Sequence, residues 1–324
     1  MKKTLLLLLV MAATLQSCYQ KPETIANNDI DPKLRETIKA KNDSLFEALS
    51  DSNSKVLEKL GSEKFNKFLV AKLNGVIWPF RKGYLTTDHE VYEEFHNKHT
   101  TVPDNSTIIS AANGYTLTFQ NEAKETYVSL LTSSYMGIDD YLITVIYCKR
   151  GNDWKIEEIT AGLLSVYGKN AAQSYALAKE YYEKGYEWDA YQQLNIARQL
   201  LEPAQKLIKY PEEEEIIRDY ESMDNKINST YTMPQPIESI NTKPIIQQLA
   251  VVKNAEGIFP LISYTTQIRL SDSVSLNNEL KNIKAEVKEK FKWINFKQKY
   301  IYYRAYNVSG NGLLEDSYTF TEKN

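Results

Sequence analysis

Nine residues, Tyr141 to Lys149 (YLITVIYCK), limit the fold more tightly than any other stretch. A sheet with one wet face alternates polar and apolar residues, whereas this run is apolar on both faces. Its strand must therefore be central or covered on both sides. Gly151-Asn152 supplies a turn, and Trp154-Lys155-Ile156-Glu157-Glu158-Ile159 returns as a second strand. Upstream, Tyr115-Leu117-Phe119 and Tyr127-Ser129-Leu131 alternate with polar neighbours at a period of two. A sheet of this kind needs a covering layer.

The preceding residues provide it. Asp31-Pro32 starts a helix, Asp31 capping the free amides and Pro32 suiting the first turn, with Leu34, Ile38, Leu45 and Leu49 on one face. A second short helix runs through Val56, Leu57 and Leu60 to Gly61. Ser62 caps a third, with Phe65, Phe68, Leu69 and Leu73 on one face, ended by Asn74-Gly75. Ile77-Trp78-Pro79-Phe80 reads as an apolar loop, and Thr87-x-x-Glu90 as a capping box for a helix from Asp88 to about Lys98. Short helices followed by long antiparallel strands predict an α+β cone, a curved sheet wrapped over helices. The closing hairpin YLITVIYCKRGNDWKIEEI resembles the last strands of the NTF2-like superfamily, over about Asp31 to Leu164. The resemblance implies a cone over residues 31–168 and no particular activity, since that superfamily holds enzymes, binding domains and bare scaffolds.

Helical periodicity takes over from Asn170. Ser174-x-x-Leu177-Ala178-x-x-Tyr181 resembles the opening of a tetratricopeptide repeat, with Ala190, Leu194 and Ala197 on the second helix and Pro203 after it. Glu212 to Glu215 begin a third helix, where acids favour the positive end, with Ile216, Tyr220, Met223 and Ile227 covering the hairpin. Residues 169–230 form this hairpin plus its cover, because one repeat cannot bury its own face. The prolines at 234, 236 and 244 make residues 231–244 an extended linker. Residues 245–324 then read as a small ββαββ unit. Its strands are Ile245–Val252 and Ile258–Leu270, a helix begins near Asp272, and a hairpin closes across Ser309-Gly310-Asn311-Gly312.

The chain opens MKKTLLLLLVMAATLQSC: two lysines, an apolar run from Leu5 to Leu15, and a small residue before a cysteine. The run is shorter than the about 20 residues that cross a bilayer, so residues 1–17 read as an export signal. Leu15-Gln16-Ser17-Cys18 resembles the lipobox of bacterial lipoproteins, although Gln16 stands where a small or apolar residue is usual. That resemblance implies that Cys18 becomes the first mature residue and carries palmitate-like acyl chains. It also implies a lipid-anchored envelope protein, at the outer membrane. Residues 18–30 then serve as a flexible tether. Losing the signal removes Lys2 and Lys3 and no acid, taking the formal net charge from −3 to −5. A weakly acidic body without a Lys/Arg cluster argues against a nucleic-acid partner. The one remaining cysteine is Cys148, so once Cys18 is acylated no disulfide can form within the chain and packing must supply stability.

The three histidines, His89, His96 and His99, lie within eleven residues. On the predicted helix His89, Glu93 and His96 share a face, which a borderline metal such as zinc could use. His89-Glu90-Val91-Tyr92-Glu93 lacks the closing histidine of a zincin, however. The favoured alternative is an amphipathic helix with Val91, Tyr92 and Phe95 inward, and no metal or cofactor is expected. Cys148 has no identified histidine partner and is expected to pack as a small hydrophobe. Glu212 to Glu215 lack the alternating oxygens of a calcium loop. No phosphate loop, nucleophile elbow or paired-cysteine motif occurs. These features favour a non-catalytic module that binds an envelope protein or glycan. The alternative is an NTF2-like enzyme or small-ligand carrier with an acid or histidine inside the cone.

Overall fold

The computed structural model describes residues 22–308 and 314–324. They form a mixed α and β chain that divides into two compact units. One holds the described residues up to Gly168 together with Leu200–Pro211, and the other holds Lys169–Gln199 together with Glu212–Asn324.

The first unit opens with β1 (Glu23–Ala26) and a 3-10 turn (Asn27–Asp29). The helices α1 (Pro32–Ser50), α2 (Ser54–Leu60), α3 (Glu63–Lys67) and α4 (Leu69–Arg81) follow. Asp31 accepts the Leu34 N–H at 3.0 Å at the head of α1. Asn53 and Ser62 cap α2 and α3 in the same way, each satisfying an amide that has no partner inside its helix. Then come β2 (Glu90–Lys98), β3 (Asn105–Ser110), β4 (Tyr115–Gln120), β5 (Glu125–Tyr135), β6 (Asp139–Arg150) and β7 (Asp153–Ser165). The main sheet is antiparallel in the order β1-β2-β5-β6-β7. Every residue from Leu142 to Cys148 of β6 is buried, as an interior strand requires. One sheet face carries Tyr127, Val145, Tyr147 and Ile156 into a core shared with Ile38, Leu45, Phe46 and Phe65 of the helices.

Several expectations need correction. The third helix, expected to run from Ser62 to Asn74 with Phe68 on the same face as Phe65, is two helices, α3 and α4, that meet at an exposed Phe68. Residues 90–98, expected in a helix, are strand β2, paired with both β1 and β5. The capping-box pattern at Thr87 is local, whereas Val91, Tyr92 and Phe95 favour a pleated, half-buried surface, and two flanking strands satisfy the backbone. Ile77–Phe80 is not a loop. It completes α4, because Leu73, Val76 and Phe80 recur on one buried face and outweigh the cost of Gly75. Glu23–Ala26, expected within the tether, pairs with β2, and Thr24 Oγ1 donates to Asn97 Oδ1 at 2.8 Å. An edge strand held by backbone bonds needs no hydrophobic period. Residues 231–244 are not a bare linker either, since Ile237 and Ile240 are buried and β10 (Gln235–Pro236, below) joins a sheet.

Leu200–Pro211 contributes β8 (Pro203–Lys206) and β9 (Ile208–Lys209), and β9 completes a small sheet in the order β3-β4-β9. β8 meets β7 where Gly162 lies directly against the Glu202 and Pro203 carbonyls.

The second unit starts with α5 (Ala171–Glu183) and α6 (Glu187–Gln199), covered by α7 (Glu213–Thr230). Asn170 and Gln173 form a reciprocal capping box on α5. The Tyr175 hydroxyl donates to Asp219 and that of Tyr191 to Asp224, both at 2.7 Å, tying the hairpin to α7. β10, β11 (Ile245–Asn254), β12 (Gly257–Thr265), α8 (Ser273–Lys290), β13 (Tyr300–Val308) and β14 (Leu314–Lys323) complete the chain. Their sheet runs β10-β11-β12-β13-β14, with β12 and β13 parallel and joined through α8 as a crossover. Lys284 and Lys288 of α8 reach Glu322 of β14 at 3.3 and 3.2 Å, placing the helix over that edge.

A Cβ added at Gly162 would stand 2.7 Å from the Pro203 carbonyl oxygen and 2.8 Å from that of Glu202, both backbone atoms that cannot swing aside. Gly162→Ala is expected to destabilise the first unit by about 1–3 kcal/mol. Urea unfolding followed by tyrosine and tryptophan fluorescence measures it, and an unchanged midpoint would contradict the close approach.

Candidate functional site

Cys18 lies outside the described residues. The other candidates can be placed, and β2 separates them. His89 precedes the strand, stacks on Phe46 at 4.0 Å between ring centroids, and holds Nδ1 3.0 Å from the Thr87 carbonyl oxygen. Glu93 points to the β3–β4 side, where its carboxylate accepts from Ser110 Oγ at 2.9 and 2.8 Å and from the Tyr115 hydroxyl. His96 lies on the other face, its Nε2 2.9 Å from Glu125 Oε1 and its ring beside Tyr127 and Trp154. The expected shared face was a helical one, and alternation along a strand divides it. Among the described residues, no group of three or more His, Cys, Asp or Glu is placed to hold a metal ion.

Burial pushes the His96 imidazole below its ordinary value, and the Glu125 carboxylate opposes that shift without cancelling it. Burial alone would raise Glu125, but hydrogen bonds from Lys149 and His96 win and the net shift is downward. Cys148 is packed within β6. Burial first, and Glu157 second, push its thiol up to about 12, so the reactive thiolate is disfavoured at neutral pH.

Polar groups do enter the space between helices and sheet, although both faces of β6 read as apolar. Arg35 of α1 pairs with Glu94, which also accepts from the Tyr127 hydroxyl. Deeper in, the Tyr147 hydroxyl donates to Asn42 Oδ1 at 2.7 Å, and Asn42 Nδ2 donates to Ser129 Oγ at 3.2 Å. Burial drives both tyrosine hydroxyls above their ordinary range, so they stay protonated donors. A general base must have a free acceptor within reach of a substrate proton. Here Glu94 and Asn42 already accept from side chains of the protein itself. A cavity of about 500 Å³ in this unit opens beside the helices, lined by Leu57, Leu73, Ile77 and Trp78 with Arg81 at its edge, and by no acid or histidine.

The second unit holds a groove of about 260 Å³ between α5, α6 and α7. Ala178, Ala190 and Leu194 form its floor, and Lys179, Tyr182 and Lys226 its rim. The Lys179 ammonium sits 4.1 Å over the Tyr175 ring, and Lys226 pairs with Glu187 at 2.8 Å while its ammonium lies 5.6 Å from the centre of the Tyr182 ring. Tyr182 is exposed. Sequence reasoning assigned α7 as a lid and overlooked this rim. The signal was present as Lys179 and Tyr182, three residues apart and bordering the stripe of α5 that carries the buried Tyr175 and Ala178.

Asp189, at the head of α6, is the buried acid with the clearest shift. It accepts from the Asn295 N–H at 2.8 Å and from the Gln298 amide, yet burial outweighs both and raises it to about 6. No family model matches the chain, and neither a curated protein nor a solved structure matches it.

A carboxyl raised from 3.8 to about 6 on folding binds more protons folded than unfolded between those values. Its stabilising contribution is full below about 3.8 and lost as pH rises through about 6. Asp189→Asn keeps an acceptor and removes the titration. The stability of wild type relative to this variant is therefore expected to fall by about 3 kcal/mol from pH 3.5 to pH 7. Urea titrations of both proteins across that range check it, and a constant difference would refute the assignment.

Proposed function

We propose that the chain is a lipid-anchored protein of the bacterial cell envelope, at the outer membrane, whose body is a non-catalytic binding module. The observation that carries the reading is Leu15-Gln16-Ser17-Cys18 at the end of an apolar run too short to span a bilayer. Two or three acyl chains, at about 0.8 kcal/mol per buried methylene, make such attachment effectively permanent. Among the described residues no helix is long and apolar enough to cross a membrane, so the anchor would carry the attachment for them.

The first unit is an NTF2-like cone in this reading, supported by helices packed on one face of a five-stranded antiparallel sheet. Between its helices and sheet, Arg35, Glu94 and Tyr127 pair with one another, as do Asn42, Tyr147 and Ser129, which favours a scaffold role. The groove of the second unit supplies the binding surface. Its two ammonium groups and exposed tyrosine over an apolar floor suit an acidic segment of another envelope protein or glycan. The alternative, a carrier of a small apolar ligand, draws on the cavity beside Leu57, Leu73 and Trp78.

Cys18→Ser is expected to abolish incorporation of labelled palmitate and move the protein from the membrane fraction to the soluble one. Sedimentation unchanged by the substitution would overturn the anchor. In gently solubilised envelopes, the pair Lys179→Glu and Lys226→Glu is expected to reduce crosslinking to partners at least tenfold. Equal crosslinking would remove the groove from the reading.

A further inference from the structure

The C-terminal unit contains a cavity of about 630 Å³ between α8 and the loop before β11. Its lining differs in kind from the other grooves. Ser275, Asn278, Glu279, Asn282 and Glu286 project from one stripe of α8, beside the buried stripe of Leu276, Leu280, Ile283 and Val287. Asn241 and Thr242 come from the loop. The volume lies within the about 300–1,000 Å³ typical of small-molecule sites.

Glu279 is the residue that needs explaining. It is only 4% exposed, although carboxylates are almost never buried without a partner. Its Oε1 accepts from the Thr242 hydroxyl and, at 3.0 Å, from that of Thr266. Its Oε2 is buried and has no hydrogen-bond partner among the described residues. An unmet acceptor on a buried charge is expensive, and native structures leave few of them. Glu279 is one of the residues lining the polar cavity, and its Oε2, shielded from solvent, meets a ligand donor once the carboxylate turns toward that space.

The surroundings select the donor. The cavity lining includes two carboxylates and no lysine, arginine or histidine, so its field repels anions and favours a cation. The amide oxygens of Asn278 and Asn282 and the hydroxyls nearby are acceptors suited to several N–H donors at once. No cluster of three metal-ligating side chains occurs among the described residues. A hard cation would need six or more oxygens, several of them charged. A primary ammonium, with three donors and one charge, matches one buried carboxylate ringed by neutral acceptors.

We propose that this cavity binds an organic primary ammonium compound the size of an amino sugar or short polyamine, with the ammonium on Glu279 Oε2. The cavity shares no lining residue with the α5–α7 groove, and its test is independent of that groove and of the proposed lipid anchor. The competing occupant of Oε2 is Tyr264, whose hydroxyl is likewise buried and without a partner.

The full-length protein, in detergent micelles, is titrated calorimetrically with glucosamine, putrescine, glucose and calcium chloride. The same titrations are run on Glu279→Gln and on Asn282→Leu, a change near the surface that keeps the charge. At least one amine is expected to bind and to raise Tm, with glucose at least tenfold weaker than glucosamine. Glu279→Gln is expected to weaken amine binding at least tenfold, and Asn282→Leu to weaken it by a smaller factor. Binding of no amine, equal binding of glucose and glucosamine, calcium binding lost in Glu279→Gln, or amine binding unchanged in both variants would each overturn the proposal. If Glu279→Gln fails to fold, Asn282→Leu with the amine-to-glucose ratio decides. A large loss of stability in Tyr264→Phe together with no amine binding would assign Oε2 to Tyr264 instead.

Discussion

Covering a strand on both faces is the constraint from which the first unit follows. The run from Leu142 to Cys148 has no wet side, so residues on either side of it in sequence must supply both layers. Helices α1 to α4 close one face with aliphatic and aromatic side chains. The chain then returns after Gln199 to lay β8 against β7, close enough that only glycine fits at position 162. With Cys148 buried and free, no disulfide holds the described residues of this core, and its cohesion is that of packing and hydrogen bonds.

That interior also explains why polar groups were hard to place from sequence. Asn42 sits on an otherwise apolar face of α1, and Tyr147 in a strand that reads as hydrophobic. Neither announces itself as polar until the helix is laid on the sheet and the two meet at 2.7 Å. Tyrosine and asparagine at such depth keep their polar ends only by pairing. The pairing fixes which face of α1 looks inward, beyond what greasy contact alone would specify.

Legibility followed the range of the signal. Caps at Asp31 and Ser62, the strands β4 to β7 and the order of elements after Pro244 rest on neighbours a few residues apart, and periodicity reveals them. Strand β2 was misread because its pairing partners are about 30 to 70 residues away, while a capping pattern at Thr87 is local. β3, β8 and β9 are short or lack an apolar run, and β3 and β9 are defined by backbone pairing with β4. For the sites, Cys18 was visible as a motif and lies outside the described residues. The trio His89, Glu93 and His96 was visible as composition but depended on a helix that does not form. Glu279 looked like one more charge on an amphipathic helix, because only the Thr242 loop and Thr266 turn that position into an interior one.

The chain passes from one unit to the other three times, after Gly168, after Gln199 and after Pro211. Neither unit can therefore be excised as one continuous length of polypeptide. A nascent chain emerging from the ribosome must wait until Pro211 before its N-terminal body is whole, by which point two helices of the other body have already been made. Gene fusions or shuffled fragments cut at any single place up to Pro211 would split at least one body.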